Sequence, residues 1–179
     1  MFSDMFDSQQ LTAELWEHCA SIRVVVSDVD GTLTDGGMFY TAEGEVMKRF
    51  SVHDGMGVML LKSRGIEVVL MTSDDSGIAI ARGSKLGLTT ILEGVRDKSL
   101  KLQGLAASLH VSLEEIAFIG DDVNDEFPLQ HCGISACPSD AVVSVRQWVD
   151  YVCQRRGGDG AFREFAELLL AAKNMRNIL

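Results

Sequence analysis

Val24-Val25-Val26-Ser27-Asp28-Val29-Asp30-Gly31-Thr32-Leu33-Thr34 is an apolar, β-branched run that feeds two carboxylates spaced one apart, then a glycine and hydroxyl residues. Residues 24–26 have the length and branching of a strand buried on both faces. The polar residues begin where that strand should end, which is where ligands bind in open α/β sheets. Successive strand side chains point to opposite faces, so Asp28 and Asp30 share a side if the strand continues. Gly31 lets the chain turn instead and brings the second carboxylate around the same small space. Two crowded carboxylates repel unless a cation sits between them or one is protonated. The acid pair therefore implies either a hard metal ion or a shared proton.

Upstream of this stretch, Leu11, Leu15, Trp16 and Cys19 have helical spacing and predict a short amphipathic helix over residues 11–19. Downstream, Gly36-Gly37 leads into apolar residues 38–41, a turn at 42–45 and residues 46–50, the pattern of a β-hairpin projecting from the site. Its aromatic and apolar side chains suit a partner surface. Asp54 opens a helix that ends at Gly65. Residues 66–71 are the next buried strand, closing on Thr72-Ser73-Asp74, and an Ala- and Ile-rich helix runs to about Leu86.

A short strand at 90–92, a helix at 98–109 and a buried strand at 116–119 follow, the last ending in Gly120-Asp121-Asp122-Val123-Asn124-Asp125. Ser112 and Glu115 have capping-box spacing, and Pro128 limits any helix there to one starting nearby. Short strands at 134–136 and 151–152 bracket a helix, and a last helix starts at Asp159 or Gly160. Strands alternating with helices predict a single α/β domain over residues 1–179. Its sheet is Rossmann-like and parallel with helices on both faces, and the hairpin at about 36–50 is the one insertion.

The 179 residues are enough to bury a proper core, and 46% hydrophobic with 23% charged residues reads as globular and soluble. No apolar run approaches the roughly 20 residues that span a bilayer. Residues 1–7 carry acids and no basic residue ahead of an apolar core, so no signal peptide is expected. Cys19, Cys132, Cys137 and Cys153 show no CxxC spacing; His131 beside Cys132 leaves a zinc site open, but small buried thiols are the expectation, with a reducing cytoplasm as the compartment. A net charge of −10 argues against nucleic acid or an anionic membrane as partner.

Three strands thus end in polar clusters: Asp28/Asp30, Thr72/Ser73 and Asp121/Asp122. Parallel strands bring these ends to one edge of the sheet, and Lys98, opening a helix after a fourth strand, can reach it. Carboxylates, a hydroxyl and one lysine meet the needs of metal-dependent phosphoryl transfer, with hard oxygen ligands selecting Mg2+. Each residue has a plainer alternative: Thr72 as a helix cap, Lys98 as a solvated helix residue, Asp121-Asp122 as an N-cap cluster. Their joint position at strand ends favours the site.

The string Asp28-Val29-Asp30-Gly31-Thr32-Leu33-Thr34 resembles the first motif of the haloacid dehalogenase (HAD) superfamily of phosphohydrolases, and the later clusters resemble its other three. That resemblance implies Asp28 as the nucleophile that forms an aspartyl-phosphate and Asp30 as acid, then base. It implies Thr72 and Lys98 on the phosphoryl group, and Mg2+ on the Asp28 carboxylate, the Asp30 backbone carbonyl and Asp121, with Asp122 behind them. The hairpin, Asp54-Gly55-Met56-Gly57 and Gly157-Gly158-Asp159-Gly160-Ala161-Phe162-Arg163-Glu164 look like the lidless branch that acts on 3-deoxy-D-manno-octulosonate 8-phosphate or on nine-carbon, sialic-type sugar acid 9-phosphates. Members of that branch are homotetramers in which one subunit's hairpin covers a neighbour's site and a Gly-rich C-terminal tail can fold in.

Two departures stand out. Thr72-Ser73-Asp74 replaces the Thr-Gly-Arg whose arginine meets the substrate carboxylate in octulosonate-type members, and His53 replaces an arginine. Asp74 resembles the nine-carbon type, with Thr72, Ser73, Asp74 and Lys98 as substrate contacts. A non-catalytic assembly domain, like that attached to some sialic-acid-activating cytidylyltransferases, is disfavoured because Asp28, Asp30 and Asp121 are all present. A phosphorylation-dependent receiver is disfavoured because DxD stands on the first strand.

Overall fold

The computed structural model describes Phe6 and residues 12–176. The expectation about a signal peptide rests on residues 1–7, of which only Phe6 is described, and Leu11 of the first helix lies outside the described residues. The first helix, α1, is Ala13–Ser21, capped by Thr12 Oγ1 accepting from Leu15 N–H. Strand β1 is Val24–Ser27; the hairpin strands are β2, Thr34–Thr41, and β3, Gly44–Phe50. Helix α2, Val52–Ser63, starts two residues earlier than expected because Ser51 supplies the cap. Then come β4 (Glu67–Met71), α3 (Ile78–Lys85), β5 (Thr90–Leu92), α4 (Lys98–Leu109), β6 (Ile116–Ile119), α5 (Glu126–His131), β7 (Ile134–Cys137), α6 (Val145–Trp148), β8 (Tyr151–Val152) and α7 (Ala161–Arg176).

The six strands of the main sheet run parallel in the order β5-β4-β1-β6-β7-β8, so β1 lies in the interior, paired with β4 and β6. Alternation along β1 explains the two layers of core. Val25 faces Leu15, Val58, Leu61, Phe162, Phe165 and Leu169 from α1, α2 and α7. Val24 and Val26 face Leu102, Leu105, Leu129 and Val145 from α4, α5 and α6. The predicted parallel sheet with helices on both faces and one antiparallel hairpin is what is observed. The hairpin is longer than its apolar residues suggest, because β2 begins at Thr34, opposite Phe50. It leaves Met38, Phe39, Tyr40, Val46 and Met47 about half exposed or more. Among the described residues no helix is long and apolar enough to cross a membrane.

Two long-range contacts position the site. Asp54, in the first turn of α2 and 1% exposed, accepts N–H bonds from Gly160 (3.3 Å) and Arg163 (2.9 Å), so its carboxylate caps α7 rather than its own helix. The Gly-rich segment before α7 is not a terminal tail but an ordered loop. Gly158 N–H donates to Thr32 O at 3.0 Å, and a Cβ on Gly157 would overlap the Gly31 carbonyl. Asp54→Ala strands two backbone donors, one buried and one part-buried, and urea unfolding is expected to show a loss of about 2–3 kcal/mol with little change in m.

Candidate active site

The register of β1 with its neighbours builds the site. Ser27 pairs with Leu70 of β4 and with Ile119 of β6, so residues 28, 72 and 120–121 leave the sheet side by side. Asp28 N–H still donates to Ile119 O at 2.9 Å, which pins the first carboxylate to that edge. Gly31 turns the chain with φ +84°, and a Cβ there would overlap the Asp121 carboxylate, so the tight turn is also what admits the later acid. Thr32 Oγ1 donates to Asp121 Oδ1 at 3.2 Å. Asp28, Asp30, Thr72, Ser73, Asp74 and Asp121, with Asp122, Val123 and Asn124, line one cavity of about 260 Å³.

Lys98 lies at the base of the cluster. Asp97 caps α4 through Leu100 N–H, which makes Lys98 the first helical residue; its side chain turns inward and is almost fully buried. Its Nζ is 2.5 Å from Asp28 Oδ1 and 2.6 Å from Asp125 Oδ1. Asp125 Oδ2 accepts Asp121 N–H at 3.2 Å, so Asp125 braces both the lysine and the loop. Sequence reasoning assigned Asp125 no role, although it sits one helical turn after Asp121, a spacing that puts two acids on one side of a short turn.

Three acids crowd here around one ammonium that pairs with two of them, and their protonation reflects it. Burial raises the Asp28 carboxyl well above the usual range, and the Asp125 and Asp121 charges add to this against Lys98. Asp121 is pushed up to about 7 by burial and by the Asp125 charge. Burial also raises Asp125, against Lys98. Desolvation would lower the Lys98 ammonium, but Asp28 and Asp125 outweigh it and hold it above its ordinary value. Oxygens of Asp28, Asp121 and Asp125 lie within 4.8 Å of one another, the one such metal-spaced group among the described residues. Crowded, hard, incompletely neutralised oxygen donors fit a divalent cation.

The two DxD carboxylates meet different lysines. Asp28 is held by Lys98, and Asp30 turns the other way to Lys48 of β3, whose Nζ lies 2.7 Å and 2.8 Å from its two oxygens. Lys48 is a second functional candidate that sequence reasoning passed over. Thr72 Oγ1 donates to Asp30 Oδ2 at 3.4 Å and accepts Asp74 N–H; it does not cap α3, whose cap position is Gly77. Ser73 Oγ is turned to Val95 O (3.0 Å). Asp74 Oδ2 meets Ser76 Oγ (2.5 Å) and Lys48 Nζ (3.0 Å). Asp122 takes the capping alternative, accepting Val123 N–H at 2.7 Å. His131 stacks on Phe127 at 4.0 Å; Cys19, Cys137 and Cys153 are buried, Cys132 partly so, and all four are free thiols.

A parallel sheet whose interior strand ends in Asp-x-Asp, with a hydroxyl, a lysine and further acids at adjacent strand ends, defines a hydrolase of the haloacid dehalogenase type. The chain belongs to that family: the haloacid dehalogenase-like hydrolase family matches residues 70–164. The chain is 37% identical over 158 residues to the 3-deoxy-D-manno-octulosonate 8-phosphate phosphatase of Haemophilus influenzae, covering 88% of each. Its structure is similar to that of the enzyme of the same name from Yersinia pestis (TM-score 0.89, 32% identity, 92% and 89% of the two chains). It is also similar to that from Moraxella catarrhalis, solved with a magnesium ion, a phosphate ion and a KDO molecule (TM-score 0.88, 34% identity, 94% and 97%).

Proposed function

We propose that the chain is a magnesium-dependent phosphomonoesterase that hydrolyses 3-deoxy-D-manno-octulosonate 8-phosphate, or a terminally phosphorylated sugar acid like it. The observation that carries this reading is the convergence of Asp28, Asp121 and Asp125 at the edge where β1, β4 and β6 end, with Lys98 paired to Asp28 and Asp125. The similarity to octulosonate 8-phosphate phosphatases over about nine-tenths of the chain supports the substrate class.

In this reading Asp28 Oδ attacks phosphorus, and the bond to the leaving alcohol breaks as Asp30 gives that oxygen a proton. The Asp30 carboxylate then takes a proton from the water that attacks the aspartyl-phosphate, releasing inorganic phosphate and restoring Asp28. Lys98 keeps the nucleophile oriented and offsets negative charge on the phosphoryl oxygens, and Thr72 hydrogen-bonds the same group. Asp28, Asp121 and the Asp30 carbonyl would hold Mg2+, with Asp125 bracing them. When bound, the ion supplies positive charge between two anions.

A nine-carbon 9-phosphate is the second reading, favoured by Asp74, which leaves no arginine at that position for a substrate carboxylate. Assays of eight- and nine-carbon sugar acid phosphates, with magnesium and with chelator, test both. Expected is cleavage of one of them about 10²-fold or more faster than of a generic phosphate ester, abolished by chelation. Equal rates on all three esters overturn the sugar-acid assignment, and full activity with chelator overturns the metal. The exposed hairpin supports a homotetramer, and four unpaired thiols support a cytoplasmic setting.

A further inference from the structure

Lys48 belongs to none of the strand-end clusters, yet it is only 7% exposed, on a strand whose other long side chains apart from Glu45 are half-buried or exposed. Opposite Met38 in the hairpin register, it reaches back over the motif loop, and its Nζ meets three carboxylates: Asp30, Asp74 at 3.0 Å and Glu45 at 3.4 Å. The Asp74 oxygen that meets Lys48 is also held by Ser76, through both the hydroxyl and the backbone N–H. Of the two short Lys48–Asp30 contacts only that to Oδ2 has hydrogen-bond geometry; Oδ1 is buried without one. Among the described residues the other side-chain hydrogen bond to Asp30 is the long one from Thr72. The orientation of Asp30 therefore depends chiefly on one ammonium carried by the hairpin.

We propose that Lys48, held in place by Asp74 and Glu45, is a positioning residue that aims the Asp30 carboxyl at the oxygen of the leaving alcohol. The inference rests on Asp30 being the proton donor in the reaction above. A carboxyl at a turn has two rotatable bonds, and proton transfer needs its oxygen within about 3 Å of the accepting atom, so an anchor on the opposite side removes wasted orientations. The proton moves from Asp30 to the ester oxygen as that oxygen leaves phosphorus, and Asp28 takes its place on phosphorus. Lys48 keeps all its protons throughout, and its charge offsets the one that appears on Asp30. Asp74, which also lines the cavity, is thereby given a role in holding Lys48.

The test uses the leaving group. The ratio kcat/KM ends at departure of the alcohol, and only basic leaving groups need a proton, so p-nitrophenyl phosphate, phenyl phosphate and a simple alkyl phosphate separate orientation of the acid from everything else. For Lys48→Met with magnesium, the expected fall is under about threefold for p-nitrophenyl phosphate, about 10-fold for phenyl phosphate and about 10²-fold for the alkyl ester. In an Asp30→Asn background Lys48→Met is expected to add nothing further. Asp74→Asn, which leaves the ammonium and the fold in place should Lys48→Met fail to fold, is expected to show the same ordering at smaller size. A fall equal across the three esters assigns Lys48 to hairpin stability and overturns the proposal. So does a loss confined to sugar acid phosphates with the alkyl ester untouched, which assigns it to substrate contact. Failure of the underlying hydrolase reading looks different, because the wild-type protein would then cleave none of these esters.

Discussion

Asp28→Asn is expected to lower phosphatase turnover on the order of 10⁴-fold or more while leaving the protein as stable as before. The two halves of that result have different origins. Activity is lost because an amide oxygen neither attacks phosphorus usefully nor leaves as a carboxylate, so the covalent route closes. Stability is kept because the Asp28 charge is already disfavoured: burial and two neighbouring acids raise its carboxyl against a single lysine. An isosteric amide relieves that crowding, and Lys98 retains Asp125 at 2.6 Å. Acid-quenched intact-mass measurements are expected to show a phosphoryl adduct on the wild-type chain and none on the variant. Turnover within tenfold of wild type, with thermal unfolding unchanged, would falsify the assignment of Asp28 as nucleophile.

How far the sequence alone reaches is decided by the range of each contact. Strand β1 was legible because four consecutive residues are buried and three are valines. The acids that follow were legible because a parallel sheet forces strand ends to one edge. Lys98 was legible for the same reason, since it opens the helix after β5. Lys48 was not. In Val46-Met47-Lys48-Arg49-Phe50 a lysine has the look of a solvated residue, and the fold buries it against Asp30 and Asp74, 18 and 26 residues away, which no local pattern encodes. Asp54 shows the same limit: its place at a helix start was readable, but its partners are the amides of residues 160 and 163. The early acid pair was legible as a pair, but its division between Lys98 and Lys48, lysines from distant elements, was not.

Lys98→Met is expected to be the most destabilising substitution in the site, by about 3–5 kcal/mol near neutral pH, and to reduce activity along with it. Lys98, Asp28 and Asp125 are all nearly or fully buried, so removing the ammonium leaves two carboxylates in a medium that penalises each charge and cannot screen their repulsion. The pH dependence separates this cause from simple loss of packing. Asp28 and Asp125 already have raised pKa values in the folded state, and without Lys98 they are expected to rise further. Between the unfolded carboxyl pKa of about 4 and those raised values the folded chain holds more protons than the unfolded one, so stability falls as pH increases. The variant's deficit in urea unfolding is therefore expected to be small near pH 5 and large near pH 8. Asp125→Asn added to Lys98→Met should recover part of the loss at pH 8, because it removes one of the stranded charges. A deficit that is the same at both pH values, and is not relieved by the second substitution, would mean that the lysine stem rather than its charge holds the cluster together.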